Sequence, residues 1–529
     1  MKRKLKLFVL ILTIIFMIIY IFYRMFFTIP LNSGVVSLIF SIVLLALEIW
    51  CFIDFFIYFL NTLSLEKKKV EISDLNSFSN IPNVDILIAT YNESEDILTN
   101  TIKGCLNLDY PDSSLVHIYL CDDGNRKDIK KMCKELNVNY ISRTSRKNFK
   151  AGNYNNALNH TNSPYIVTFD ADMVPSSDFL LKTIPLFLEN ENLGFVQSPQ
   201  SFINPDIYQY RFYLENDLPF EQENFYSNTQ LYNNSINSTV CCGTNVVFSR
   251  QALLDAGGFA RDSISEDIAT GLLIQSKGYH CIAISDIIAH GISVQDYDGF
   301  IKQRSRWAIG SVQMFKNYNI FKQKGLSLRQ KLQYLSYVSY WFFGLKRLLF
   351  IISPLLFSLF NIILIDTNMY VFAFIWLLMY VFKKLAISIF SGDAFLSTWN
   401  TIHETILCPA LCFKVLKSFF SKKTVNFDVS PKDVKKSKFT FLNMKILIVH
   451  IVLLVLNLLA LVTSGIKFSN NTTIINYIFS VIWIFYNIFY LLISIIFDIN
   501  NRTDKVDNFI PNKVTKYSLK SILKIFKFK

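Results

Sequence analysis

The apolar residues of this chain are gathered into long runs, and the runs dictate what it can fold into. Leu7 to Phe27 and Val35 to Leu60 are each long enough to cross a bilayer, and four more runs follow near 334–360, 369–390, 444–465 and 473–498. A spanning helix needs about 20 mostly apolar residues. Residues 62–330, between the second and third runs, have the mixed character of a water-soluble domain. The chain therefore reads as a soluble domain inserted between two N-terminal and four C-terminal transmembrane helices. At 52% hydrophobic, with 49 Phe and 26 Tyr, it is too apolar to be soluble throughout. Met1-Lys2-Arg3-Lys4 has the charge of a secretory signal. No small-residue cleavage site closes the run behind it, so a retained anchor is expected.

Basic residues set the orientation. The links 28–34, 361–368 and 466–472 hold only Lys467 among Lys and Arg. Lys2 to Lys4, Lys67 to Lys69, Lys422, Lys423, Lys435, Lys436 and the basic tail lie on the other side. The positive-inside rule then puts both termini and the soluble domain in the cytosol of a multi-pass plasma-membrane protein. The net charge of +13 is accounted for mainly by these flanks and by contact with anionic lipid. Nucleic acid is excluded as a partner, because the basic residues flank spans and no DNA-binding motif is present. Nine cysteines without paired spacing, Cys241-Cys242 included, predict free thiols in a reducing compartment rather than a zinc site.

Within the soluble domain, three short apolar runs end in polar clusters. Val84 to Thr90 leads into Tyr91-Asn92-Glu93, Val116 to Cys121 into Asp122-Asp123-Gly124, and Tyr165 to Phe169 into Asp170-Ala171-Asp172. Such runs read as buried strands of an open parallel α/β sheet, whose ligands bind at the carboxyl ends of the strands. Asp and Asn also start ordinary turns, which explains one cluster better than three. Carboxylates two residues apart on an extended backbone point the same way and suit a hard cation completed by diphosphate oxygens. Asp122 suits a hydrogen bond from a base N–H. Lys150-Ala151-Gly152-Asn153 offers a cation beside a backbone able to approach phosphate. Ser265-Glu266-Asp267 opens a helical pattern, where Ser265 is expected to cap the helix and a carboxylate is well placed as a general base. Gln303-Arg304-Ser305-Arg306-Trp307 falls in a segment that reads as an amphipathic helix at the membrane surface. Its Arg and Trp suit either interfacial anchoring or a diphosphate and a sugar ring.

These stretches together resemble the inverting, GT-A-type family 2 glycosyltransferases, and the membrane plan resembles bacterial cellulose synthase catalytic subunits. The expected fold is an α/β, Rossmann-like GT-A domain with amphipathic interface helices beside it. Its boundaries are 1–61 (two transmembrane helices), 62–330 (catalytic domain), 331–392 (helices three and four), 393–442 (interface helix near 396–420, then a gating loop), 443–499 (helices five and six) and 500–529 (basic tail). The resemblance implies that Asp267, beside Glu266, is the base. It implies that Thr90, Tyr91, Glu93, Asp122, Lys150, Asp170, Gln303 and Arg306 hold UDP, that Asp170 and Asp172 hold Mg²⁺ or Mn²⁺, and that Cys242 and Trp307 frame the acceptor. Asp170 to Pro175, Gln197 to Gln200, Asn204 to Asp206 and Cys242 to Asn245 match further family segments. Phe427, Val429, Ser430 and Lys432 would form the gating loop, with Ser430 where Thr is usual.

The resemblance further implies an inverting hexosyltransferase that takes a UDP-sugar, UDP-glucose above all, extends a polysaccharide acceptor and exports it through its own channel. Cellulose and mixed β-1,3/β-1,4-glucan both remain open as products, as do galactose or N-acetylhexosamine donors. A non-processive enzyme acting on a lipid carrier is the alternative enzyme, and a channel or scaffold with a degenerate nucleotide fold the non-enzymatic one. Accessory export or regulatory subunits stay open. Candidate channel residues are Tyr337, Tyr340, Trp341, Lys346 and Arg347; for the two cations, a wet interior and snorkelling to the interface weigh about equally. Ile309 stands where many relatives carry Arg. About thirty residues after the last span are too few for a cyclic-di-GMP-binding domain, so none is expected in this chain.

Overall fold

The computed structural model describes residues 3–63, 70–421, 440–469, 474–500, 502, 506 and 509–526. The expected gating-loop residues Phe427, Val429, Ser430 and Lys432 lie outside them.

The soluble domain is built on a seven-stranded mixed sheet. Its strands are β1 (Val84–Thr90), β2 (Val116–Asp122), β3 (Asn139–Ser142), β4 (Tyr165–Asp170), β6 (Leu193–Gln197), β8 (Val246–Ser249) and β9 (His280–Ala283), in the order β3-β2-β1-β4-β8-β6-β9. The first four are parallel, and β8 runs antiparallel to both β4 and β6. Alternation along β1 explains its apolar run from Ile86 to Ala89. Ile86 and Ile88 enter a core with Leu98, Ile102 and Phe169, while Leu87 enters the opposite one with Cys121, Ala151 and Ile166. A strand covered on both faces has no solvent side for polar residues, and each such aliphatic side chain contributes roughly 1.5–3 kcal/mol on burial. A second, three-stranded sheet joins β5 (Val174–Pro175), β10 (Ala289–Gly291) and β7 (Ser201–Phe202), with β10 in the middle.

Among the described residues, six helices are long and apolar enough to cross a membrane: Lys4–Phe27, Val35–Leu60, Phe343–Phe360, Met369–Ser391, Phe441–Lys467 and Tyr477–Ile499. The third begins at Phe343 rather than near 334. A separate helix, Leu328–Tyr340, precedes it, opened by a capping box in which Ser327 and Gln330 satisfy each other's backbone N–H. Several ionisable groups inside the bundle are paired. Arg24 meets Glu48 at 2.8 Å, His450 meets Asp498 at 2.5 Å, and Lys346 meets Asp54 at 2.6 Å. Arg347 is buried and donates to Thr405 Oγ1 at 2.9 Å. Lys346 and Arg347 therefore face partners in the bundle rather than snorkelling outward, as groups at membrane depth do when they can.

The two expected interface helices are more enclosed by protein than an amphipathic surface helix is. The Tyr297–Tyr318 helix packs against other elements of the protein. It is buried along most of its length, between the Glu266–Ser276 helix and the Leu396–Phe420 helix. Of its basic residues, Arg304 is taken up inside by Glu221, and Ser305 accepts from Lys414 Nζ of the Leu396–Phe420 helix. The Leu396–Phe420 helix is likewise mostly buried, with Trp399, Ile402, Ile406 and Leu411 fully enclosed. These two helices seat the catalytic domain on the membrane helices.

Candidate active site

Strand register gathers the polar ends. Thr90 pairs with Asp122 and Ala89 with Asp170 across β2-β1-β4, so the three ends lie in one row, beneath a cleft of about 1200 Å³. Thr90, Tyr91, Glu93, Lys150, Asp170 and Asp172 line it, and Glu266, Asp267, Gln303, Arg306, Trp307 and Cys242 line it too.

At the β1–β2 end the loop folds on itself. Glu93 Oε2 accepts from Thr90 Oγ1 at 2.7 Å and from the Tyr91 N–H at 2.8 Å. The Arg146 guanidinium stacks on the Tyr91 ring, 3.3 Å from its centre, leaving a flat polar surface at the cleft. Asp122 is not part of that surface. It is fully buried, and its carboxylate is consumed by the Gly124 and Arg126 N–H groups at 2.8 Å each, the Arg126 guanidinium and the Tyr140 hydroxyl. Arg126 also donates to Thr90 Oγ1 and to Glu93 O, so Asp122 anchors the loop from below. The acid that lines the cleft is its neighbour Asp123, clasped by Arg143 through two bonds of 2.6 and 2.7 Å. Successive residues leaving a strand face opposite ways, so Asp123 faces the cleft and Asp122 does not.

Lys150 sits in the first turn of the Phe149–Leu158 helix. Its ammonium reaches Asp170 Oδ1 at 2.6 Å and Gly243 O at 3.0 Å. Burial alone would pull its pKa down, but Asp170, Tyr154 and Glu266 outweigh it and hold the pKa above its ordinary value. Asp170 ends β4, but Asp172 lies in a turn closed by the Met173 N–H on Asp170 O at 3.0 Å. The pair is thus offered by a turn, not by the extended backbone expected. No group of three His, Cys, Asp or Glu side chains among the described residues could hold a metal ion. Two carboxylates on an open cleft fit an ion of the Mg²⁺ type, which takes one or two protein carboxylates and fills the rest of its shell with phosphate and water.

Glu266 and Asp267 open the Glu266–Ser276 helix. Ser265 stands at the cap position but makes no capping bond. It is pressed instead against Gly310 of the Tyr297–Tyr318 helix, where a Cβ would lie 2.1 Å from Ser265 Oγ. Asp267 accepts from the Ile268 N–H at 2.8 Å. Gly243 (φ +74°) leaves room for it, since a Cβ there would be 2.9 Å from Asp267 Cβ. Burial raises the pKa of both carboxyls; for Glu266 the charge of Asp267 adds to the rise, and Lys150 and Arg306 oppose it at each. The result is a pair of carboxyls whose charged forms burial disfavours and the two cations favour.

The Tyr297–Tyr318 helix forms the far wall. Arg304 bonds Glu221 at 2.6 Å and lies 4.3 Å from the centre of the Trp307 ring, which locks the indole in place. Trp307 meets Trp341 edge to face at 6.5 Å. Cys242 donates its N–H to Gln197 Oε1 at 2.7 Å. Burial and Asp267 push its thiol up to about 12, which favours the protonated form. Ile309 is buried and is not among the residues that line the cleft. The motifs did not disclose Asp123, Arg126, Arg143, Arg146 or Glu221, nor Arg502 and Asn512, which also line the cleft from the far end of the chain.

Residues 165–385 match the family model described as Glycosyl transferase family group 2. The cellulose synthase catalytic subunit [UDP-forming] of Pseudomonas fluorescens (strain SBW25) is 33% identical over 380 residues, which is 72% of this chain and 51% of that protein. The corresponding subunit of Xanthomonas axonopodis pv. citri (strain 306) is 33% identical over 332 residues, 62% of this chain and 45% of the relative. The chain thus spans about half the length of these relatives. Among solved structures, the mannosyltransferase PcManGT from Pyrobaculum calidifontis in complex with GDP-Man and Mn²⁺ aligns over 74% of this chain and all of its own, at 18% identity and a TM-score of 0.45, a likeness too low to assign chemistry. The mixed sheet, the cleft and the match over residues 165–385 make the chain similar to the family 2 glycosyltransferases, with a GT-A-like sheet domain and six helices long and apolar enough to cross a membrane. Within that class the chain resembles the bacterial cellulose synthase catalytic subunits.

Proposed function

We propose that this protein transfers sugar from a UDP-sugar, UDP-glucose foremost, to the end of a growing β-linked glycan, by a single inverting displacement, and passes the product through its membrane helices. Cellulose and mixed β-1,3/β-1,4-glucan are both compatible products. The observation that carries the reading is the convergence of Glu266-Asp267, Lys150–Asp170 and the Gln303, Arg306 and Trp307 side chains on one cleft. The relatives, named as UDP-forming cellulose synthase subunits, support the donor and the product class.

Asp267 takes the proton of the acceptor hydroxyl as that oxygen bonds to the anomeric carbon. The bond from that carbon to the diphosphate breaks on the opposite face, so an α-linked donor gives a β-linked product. UDP departs beside Lys150 and Arg306, whose charges favour the leaving diphosphate over the bound sugar nucleotide. A Mg²⁺ or Mn²⁺ ion held by Asp170 and Asp172 would neutralise further charge there. The Tyr91–Arg146 surface and Asp123 receive the base, and Trp307 and Cys242 receive the acceptor ring. The basic flanks favour a cytosolic catalytic domain at the plasma membrane.

UDP release after adding UDP-glucose to the purified protein tests this reading. Release is expected, and EDTA should abolish it. Silence with every UDP-sugar would overturn the enzyme assignment, and release that ignores EDTA would remove the metal role of Asp170 and Asp172.

A further inference from the structure

The segment after the last membrane helix has no place in the mechanism above, yet it is built into the catalytic domain. Residues 509–526 run back across it, and each contact is specific. Phe509 packs edge-on against Phe220 at 6.0 Å, and the Ile510 N–H donates to Asn216 Oδ1 at 3.2 Å. Asn512 Nδ2 donates to Ser201 Oγ at 2.9 Å. The Tyr517 ring stacks on Trp399, 5.0 Å between centres and 19° between planes, and its N–H donates to Asp393 Oδ2 at 2.7 Å. Lys524 pairs with Asp217 at 2.5 Å. Tyr517, Ile522 and Ile525 are buried in the core that also holds Trp399 and the Tyr297–Tyr318 helix. At the base of the segment, Arg502 pairs with Glu215 and lies over the rings of Tyr210 and Tyr213, at 4.8 and 4.4 Å. Two residues of this region, Arg502 and Asn512, line the cleft itself.

Their place in the cleft follows from the small sheet. Ser201, the partner of Asn512, is in β7 and pairs with His290 of β10, which pairs with Val174 of β5, two residues beyond Asp172. Two strand spacings put Ser201, which Asn512 bonds, about 10 Å from Val174. Phe220, against which Phe509 packs, precedes Glu221, which bonds Arg304 beside the Trp307 ring, so the segment also borders the part of the cleft that holds Trp307.

We infer that Arg502 and residues 509–526 act as a strap that completes the sugar-binding side of the cleft, with Asn512 and Arg502 as positioning residues and Tyr517 and Lys524 as the anchors that hold them. This rests on the glycosyltransferase reading proposed above. The strap shapes the part of the site that meets donor sugar and acceptor and leaves the nucleotide end untouched. Losing one polar contact there weakens sugar binding by about threefold to tenfold.

The test separates sugar from nucleotide. With the full-length protein in membranes, KM for UDP-glucose is measured beside the inhibition constant of UDP, which lacks the sugar. Asn512→Ala should raise KM threefold to tenfold at unchanged UDP inhibition. Tyr517→Ala, which removes the anchoring ring, should reproduce this, and Tyr517→Phe, which keeps the stack on Trp399, should restore the wild-type KM. Unchanged KM in both Ala variants overturns the inference. So does a parallel loss of UDP inhibition, which would show the strap to be general scaffolding. A wild-type protein that neither binds UDP nor releases it from UDP-glucose would sink the glycosyltransferase reading instead.

Discussion

Gly310→Ala asks whether the helix carrying Trp307 and the helix carrying Asp267 work as one unit. They touch at Gly310 and Ser265. An added Cβ would lie 2.1 Å from Ser265 Oγ, 2.7 Å from Ser265 N and 2.8 Å from Ser265 Cβ. The hydroxyl can rotate away, but the backbone nitrogen cannot. Restoring ordinary contact of about 3.5 Å to that nitrogen requires the helices to part by about 0.8 Å. They are also tied by Ser263 Oγ donating to Gly310 O at 3.0 Å and by the Ile264 N–H donating to Gln313 Oε1 at 3.2 Å, bonds that the separation would stretch. Overpacking of this kind costs about 1–3 kcal/mol of stability. Catalysis should suffer more, because a displacement of about 1 Å between positioned groups costs up to about 10²-fold in rate. We therefore expect Gly310→Ala to fold and to inhibit normally with UDP, but to lose roughly tenfold to a hundredfold in kcat/KM. The assay is initial UDP release from UDP-glucose, read beside thermal unfolding. Gly465→Ala is the control: nothing lies within 4 Å of the added methyl, so it should behave as wild type. Near-normal turnover in Gly310→Ala would refute the claim that Ser265–Gly310 contact sets the catalytic geometry.

Asp267→Asn should abolish transfer while UDP still inhibits or binds; appreciable turnover in that variant rejects Asp267 as the base. The acid limb of kcat/KM against pH should lie above the range of an exposed Asp, because burial raises the Asp267 pKa and only the ionised form accepts the proton. Arg306→Gln removes a charge that opposes this rise, so the limb should move to higher pH, and an unmoved limb would show that Arg306 does not act on the pair. Trp307→Ala should lose long product while some donor hydrolysis persists, and undiminished chain length would remove the acceptor platform.

The parts of this molecule that were legible in its sequence are those in which one-dimensional pattern maps directly onto environment. Six apolar runs became six spanning helices because the bilayer admits few alternatives. β1, β2 and β4 were readable because a strand buried on both faces must be continuously apolar, and their polar ends converged because parallel register aligns them. Choices that depend on partners distant in sequence were not readable. Asp122 and Asp123 are chemically identical, and only the turn with Arg126 and Tyr140 decides which one is buried. Gln303 to Trp307 has the composition of a surface helix, but Glu221 and the Leu396–Phe420 helix enclose it. The start of the third span moved to Phe343 because the capped Leu328–Tyr340 helix is a separate element. The closing segment is basic and short like a solvated tail, and only Trp399, Asp393 and Asp217 make it part of the cleft.

The most direct test of the central claim is the length of the product. Protein in vesicles, given UDP-glucose labelled in the sugar and Mg²⁺, should build a label-bearing polymer of many residues, resistant to α-glucanase and cut by β-glucanase. Label found only in free glucose or in single-sugar adducts would contradict a processive β-glycan synthase.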